Sequence, residues 1–107
     1  MRRVLAMALL VMAGSLNAQP PPGLSGCTAR LVAEQPGSRI NVRDGPGLEF
    51  GVAFQGRIGD RAAVVRGPVD GFSIREDGDG KQWVEVQFPG SGKRGWVRRD
   101  FLSKFTC

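Results

Sequence analysis

Histidine and tyrosine are both absent from this 107-residue chain. Without an imidazole to take up a proton, Ser-His and Cys-His nucleophile systems are excluded. Two cysteines without histidine fall short of a four-ligand structural zinc set. The ten Asp and Glu residues leave a carboxylate pair conceivable. Most of them, however, sit in turn sequence or beside a cation, as Asp44 after Arg43 and Asp100 after Arg99 do. Three glycine-bearing segments imitate ligand loops. Gly45, Gly47 and Gly51 in "INVRDGPGLEFG" (40–51) are spaced one residue too long for a dinucleotide loop, and the run after them is strand-like, without a helix N-terminus to meet a pyrophosphate. "GSGKR" (90–94) lacks the first glycine and the Ser/Thr of a P-loop. "EDGDGK" (76–81), placed in calcium-loop register, puts Arg75 at the first ligand position and Val86 at the last, which fits a solvated loop tip better than a metal site. The residues therefore indicate a chain that is not an enzyme and needs no cofactor or metal.

Binding chemistry has more to work with. Trp83 and Trp96 each stand next to a valine in an alternating run, so if Val84, Val86 and Val97 face the core, both indoles face outward. They can serve there as barrel-edge cover or as a ligand platform. Lys93, Arg94, Arg98 and Arg99 make the same end of the chain basic. Indoles stack on apolar faces and guanidinium groups pair with carboxylates. Nucleic acid is not the expected partner, because the net charge is only +5 and "EDGDG" offsets the basic run.

The elements that must position these side chains are short. Residues 1–18 read as a secretory signal peptide: Arg2 and Arg3, then an apolar run over 4–13, then "SLNA". The run is too short to span a bilayer, and no second apolar stretch comes after it, so no transmembrane segment is expected. Residues 19–26 form a proline-rich lead, and 27–107 the domain. A domain this small is marginal without a staple. Cys27 and Cys107 supply one if export delivers the chain to an oxidising compartment, secreted or periplasmic. "LSGC" at 24–27 also fits a lipoprotein signal that would anchor the chain at Cys27, which is the alternative. From Cys27 onward, runs such as "RINVR" (39–43), "RAAVVRG" (61–67), "QWVEVQF" (82–88) and "RGWV" (94–97) alternate and are separated by glycine turns. The stretch 68–81 reads as one long polar loop, and "RRDFL" (98–102) as a single helical turn. This pattern predicts an all-β barrel or sandwich.

Three segments resemble the bacterial SH3 (SH3b) family. "INVRDGPG" resembles its L-N-V-R-x-G-P signature, "GKQWVEVQF" its G-x-x-W-x-x-V strand, and "GKRGWVRRDFL" its closing G-W-V segment, in the family's order. The resemblance implies a small SH3-like barrel of five to seven short strands, with a one-turn helix before the last segment. Asn41, Arg43, Gly45 and Pro46 map onto the signature as structural residues, the glycine supplying a left-handed or tight backbone. Trp83 and Phe101 map to aromatics that such grooves keep. The terminal cysteines resemble those of small exported members whose ends are clasped. The expected function is an exported, non-catalytic module that binds cell-wall peptidoglycan peptide or another envelope ligand through Trp83, Trp96, Phe50, Arg94, Arg98 and Arg99. The alternative is a module that binds a partner protein in the periplasm.

Overall fold

The computed structural model describes residues 23–69 and 71–107. The signal segment 1–18 and residues 19–22 of the lead lie outside the described residues.

Seven strands form one antiparallel sheet: β1 (Leu24–Arg30), β2 (Arg39–Arg43), β3 (Val52–Arg57), β4 (Arg61–Val65), β5 (Ile74–Glu76), β6 (Gln82–Gln87) and β7 (Arg94–Arg98), with a 3-10 turn over Arg99–Phe101 after the last. The all-β expectation holds, with the strand number at the top of its range and the helical turn where "RRDFL" placed it. Two boundaries differ. β1 begins at Leu24, inside the segment read as a lead, because Gly23 and Leu24 already pair with β4: the Gly23 carbonyl accepts the Arg66 N–H at 2.8 Å, and Leu24 stands opposite Val65. The stretch 68–81 is not all loop. Ile74, Arg75 and Glu76 pair with Val84, Trp83 and Gln82, so β5 covers the first half of β6.

The hydrogen-bonded path runs β1-β4-β6-β7-β2-β3, and β6 is its hub, pairing with β4, β5 and β7. The ladder does not close between β1 and β3. Instead the Leu31 N–H donates to the Asp60 carbonyl at 2.9 Å and the Leu31 carbonyl accepts from Gly59 at 2.8 Å, which brings the end of the first strand to the β3–β4 turn. The strands alternate as read. Ile40 and Val42, Ala62 and Val64, Val84 and Val86, and Val97 are all buried, and with Ala29, Leu31, Phe88 and Leu102 they form the core. β-branched valines suit this position because their stiff side chains stand well on a pleated surface.

The tail covers the outer edge of β1. Thr28 and Thr106 exchange two backbone hydrogen bonds at 2.8 Å, Leu31 pairs with Leu102, and the Ser103 hydroxyl accepts the Arg30 N–H at 2.9 Å. This protects an edge that would otherwise be open to pairing. Cys27 and Cys107 close the arrangement with a disulfide, their Cα atoms 4.2 Å apart. Cys27 is buried inside β1 with its sulfur bonded to Cys107, which leaves none for a lipid thioether, so the lipoprotein alternative is set aside.

Gly95 shows how tightly β7 meets β2. A methyl group on it would lie 2.6 Å from Val42 Cγ1 and 2.9 Å from the Arg43 carbonyl oxygen. Alanine would gain up to about 1 kcal/mol by restricting the unfolded chain. The clash outweighs this, because a backbone carbonyl in a ladder cannot step aside. Gly95→Ala is expected to destabilise by about 1–3 kcal/mol in urea denaturation; an unchanged midpoint would mean that β2 and β7 separate freely.

Candidate functional site

β2 carries the site on its outward face. Its alternation buries Ile40 and Val42 and turns Arg39, Asn41 and Arg43 outward. Arg39 lines a separate cleft of about 550 Å3 with Arg57 and Ile58, and two further clefts beside this face share a wall. The larger, about 610 Å3, runs along Val32, Ala33, Glu34 and Gln35 beyond β1, with Asp100 and Phe101 of the 3-10 turn on its other side. The smaller, about 140 Å3, lies among Asn41, Arg43, Leu48, Trp83 and Arg98. Arg39, Ile40 and Phe101 wall both. Together they make a groove with an apolar floor and a rim of guanidinium and carboxylate groups. Such a surface can hold a flat or aliphatic ligand body and pair with its charged ends.

Trp83 is at this groove but does not lie open on an outer face. It points away from Val84, as read, yet only 2% of it is exposed. Its face of β6 is covered by the strands and the loop on either side of it. β5 pairs alongside it, Arg98 stands opposite on β7, and Asp77 Oδ2 accepts the indole N–H at 2.8 Å. Asp77 Oδ1 also accepts from the backbone of Asp79 at 2.8 Å and of Lys81 at 3.0 Å. The acidic loop tip thus serves as a clamp on Trp83. Hydrogen bonds to the charged carboxylate, that of Trp83 foremost, hold the Asp77 carboxyl below its ordinary value of 3.8. The Asp100 carboxyl is held low in the same way by its bond to Arg98.

The other expected ligand residues disperse. Trp96 is half-buried between Glu85 of β6 and Arg43 of β2 and takes no part in the clefts. Phe50 is 38% exposed and lays its ring over Gly45, whose missing Cβ makes room for it. Gly45 therefore answers a close approach; its backbone is not left-handed. Arg94 gives both its bonds to Gln87 Oε1, at 3.1 and 2.7 Å. Arg99 stacks on the Phe105 ring at 4.5 Å and donates to the Leu102 carbonyl at 3.2 Å. Arg98 pairs with Asp100, lies over Phe101 at 5.6 Å, and alone of the three shares the cleft with Trp83. The arginines do not form one patch, because β7 ends at Arg98 and the 3-10 turn sends Arg99 in another direction. In the signature segment Arg43 Nη1 donates to the Phe50 carbonyl at 2.8 Å and ties down the loop, and Asn41 Oδ1 accepts from Gln55 at 2.9 Å. A strand, not a helix, comes after that loop.

The sequence reading missed Arg39, Leu48 and Glu34 as groove residues. The alternation of "RINVR" already turned Arg39 outward, so that signal was present; Leu48 and Glu34 lie in loops without one. Among the described residues no group of three or more Cys, Asp or Glu could hold a metal ion, and no helix is long and apolar enough to cross a membrane.

Such clefts on a small antiparallel sheet define an all-β protein with a candidate binding groove. The chain is similar to segments of two larger proteins. It is 40% identical over 65 residues, 61% of its own length, to YrvJ of Bacillus subtilis, named as an N-acetylmuramoyl-L-alanine amidase. It is 37% identical over 79 residues, 74% of its length, to serine/threonine-protein kinase D of Synechocystis. The matched segments are 10% and 14% of those proteins. No protein-family model matches the chain, and no solved structure matches it significantly.

Proposed function

We propose that this chain is an exported, non-catalytic binding module of the SH3b type that holds peptidoglycan peptide in the groove walled by Trp83 and Phe101. The groove carries this reading: aromatic and aliphatic floor, guanidinium rim, no nucleophile with a base beside it. The relatives support it in two ways. One is named for chemistry on peptidoglycan, and the other for phosphoryl transfer. A segment common to both is better suited to accompanying chemistry than to performing it. The Cys27–Cys107 disulfide fits an oxidising, extracytoplasmic compartment. The test is sedimentation with purified peptidoglycan. Leu48 lines the smaller cleft and is 62% exposed, so Leu48→Glu spoils the groove and leaves the core intact. The wild type is expected to be retained and L48E lost, at equal melting temperature. Equal retention of both, or of neither, would refute the proposal.

One observation favours a second reading, a partner chain. β3 ends the sheet path, and beside it Val52 and Leu48 stand exposed. A strand added there would yield a single crosslinked protein partner and no retention on peptidoglycan.

A further inference from the structure

Two charged side chains in the groove are unused by the fold. Glu34 and Arg39 both line the larger cleft, and Arg39 continues into the smaller one. Among the described residues neither makes a side-chain hydrogen bond, and the one ion pair is Arg98–Asp100. The contrast with the neighbours is sharp. Arg43 is spent on the Phe50 carbonyl, Arg98 on Asp100, and Asp77 on Trp83. Arg39 lines both clefts, and the apolar Ile40 and Phe101 line both with it.

We infer that the groove is a two-ended site for a short peptide carrying both a free carboxylate, received by Arg39, and a free amine, received by Glu34. This rests on the proposed function and specifies its ligand. A guanidinium fork is matched to a carboxylate, and a lone carboxylate to an ammonium. The aliphatic part of such a residue would lie on Ile40 and Phe101. A peptide with both groups free is an end not joined to a neighbouring strand, so the site selects uncrosslinked ends over crosslinked ones.

The experiment uses the full disulfide-bonded chain and three synthetic probes, titrated calorimetrically: N-acetyl-Ala-γ-D-isoglutaminyl-Lys, in which the lysine carboxyl terminus is the one carboxylate and the side-chain amine is free, its C-terminal amide, and its Nε-acetyl form. For the wild type, either cap is expected to weaken binding about three- to fivefold, the range of a partly exposed ion pair. Arg39→Gln is expected to lose the same factor on the free peptide and nothing more on amidation. Glu34→Gln is expected to do so for acetylation. Both positions are exposed, and unchanged melting curves confirm intact folding. The inference is overturned if R39Q binds the free peptide as the wild type does, if it loses the same factor on free and amidated probes, or if the wild type binds none of the three. Retention on peptidoglycan separates the two failures. If retention persists, only the two-ended site falls; if it is also absent, the function proposed above falls with it.

Discussion

Replacing Cys107 with Ser is expected to remove about 4–5 kcal/mol of stability, on the order of half of what a domain this size possesses. The figure comes from the 80-residue separation of the two cysteines, since the crosslink stabilises by denying the unfolded chain the conformations in which its ends are apart. Urea denaturation with and without reductant measures it. The loss should also be directional. The disulfide anchors a tail that runs back along β1 through Thr106, Ser103 and Leu102 to Phe101, whose carbonyl accepts the Val32 N–H at 2.9 Å. Freed of its anchor, that strip frays from Cys107 inward, towards the groove. Hydrogen exchange in C107S should accelerate first at Thr28 and Thr106 and later at Val32. Equal denaturation midpoints in oxidised and reduced protein would show that the tail holds by packing alone.

Trp83→Ala is expected to cost about 3–5 kcal/mol and to abolish binding together with stability, because it empties a nearly closed site. It is therefore a poor test of ligand contact, and Leu48 or Arg39 should be probed instead. Trp83→Phe keeps most of the apolar contact and loses only the bond to Asp77. The clamp also gives a pH signature. Asp77 has a folded pKa below 3.8, so its contribution to stability is fully present above that value and is lost as pH falls through the lowered one. In a Trp96→Phe background, which leaves Trp83 as the single indole, acid titration of the fluorescence should have its midpoint below 3.8. A midpoint at or above that value would mean that the carboxylate does not hold the indole.

Most of the strand framework was legible because period-two alternation is a local property. "RINVR" and "QWVEVQF" each assign one face to valine and isoleucine wherever the strand is finally placed. Glycine punctuation marked the turns. β5 was missed: three residues flanked by polar sequence carry too little pattern, and their strand state comes from pairing with β6. Gly45 could be read as structural, but the Phe50 ring that presses on it, like the Arg43 carbonyl that presses on Gly95, belongs to the folded chain.

The sequence by itself determined the class of fold and, through alternation, the core positions Ile40, Val42, Val84, Val86 and Val97; it left Cys27 two fates, and the fold joined it to Cys107. It also determined what chemistry was missing, since composition alone removes imidazole. The tertiary structure decided which outward residues remain available. Trp83 faces away from the valine core yet is buried, because Asp77 and β5 reach it from one side and Arg98 from another. Arg94, Arg98 and Arg99 are close in sequence, yet one is spent on Gln87, one on Asp100 and one on Phe105. Arg39, unremarkable in its strand, is the one left open, lining both clefts of the groove. Alternation says which way a side chain points. Whether anything covers it depends on which neighbouring strands and loops fold back over it, and those contacts exist only once the sheet has formed.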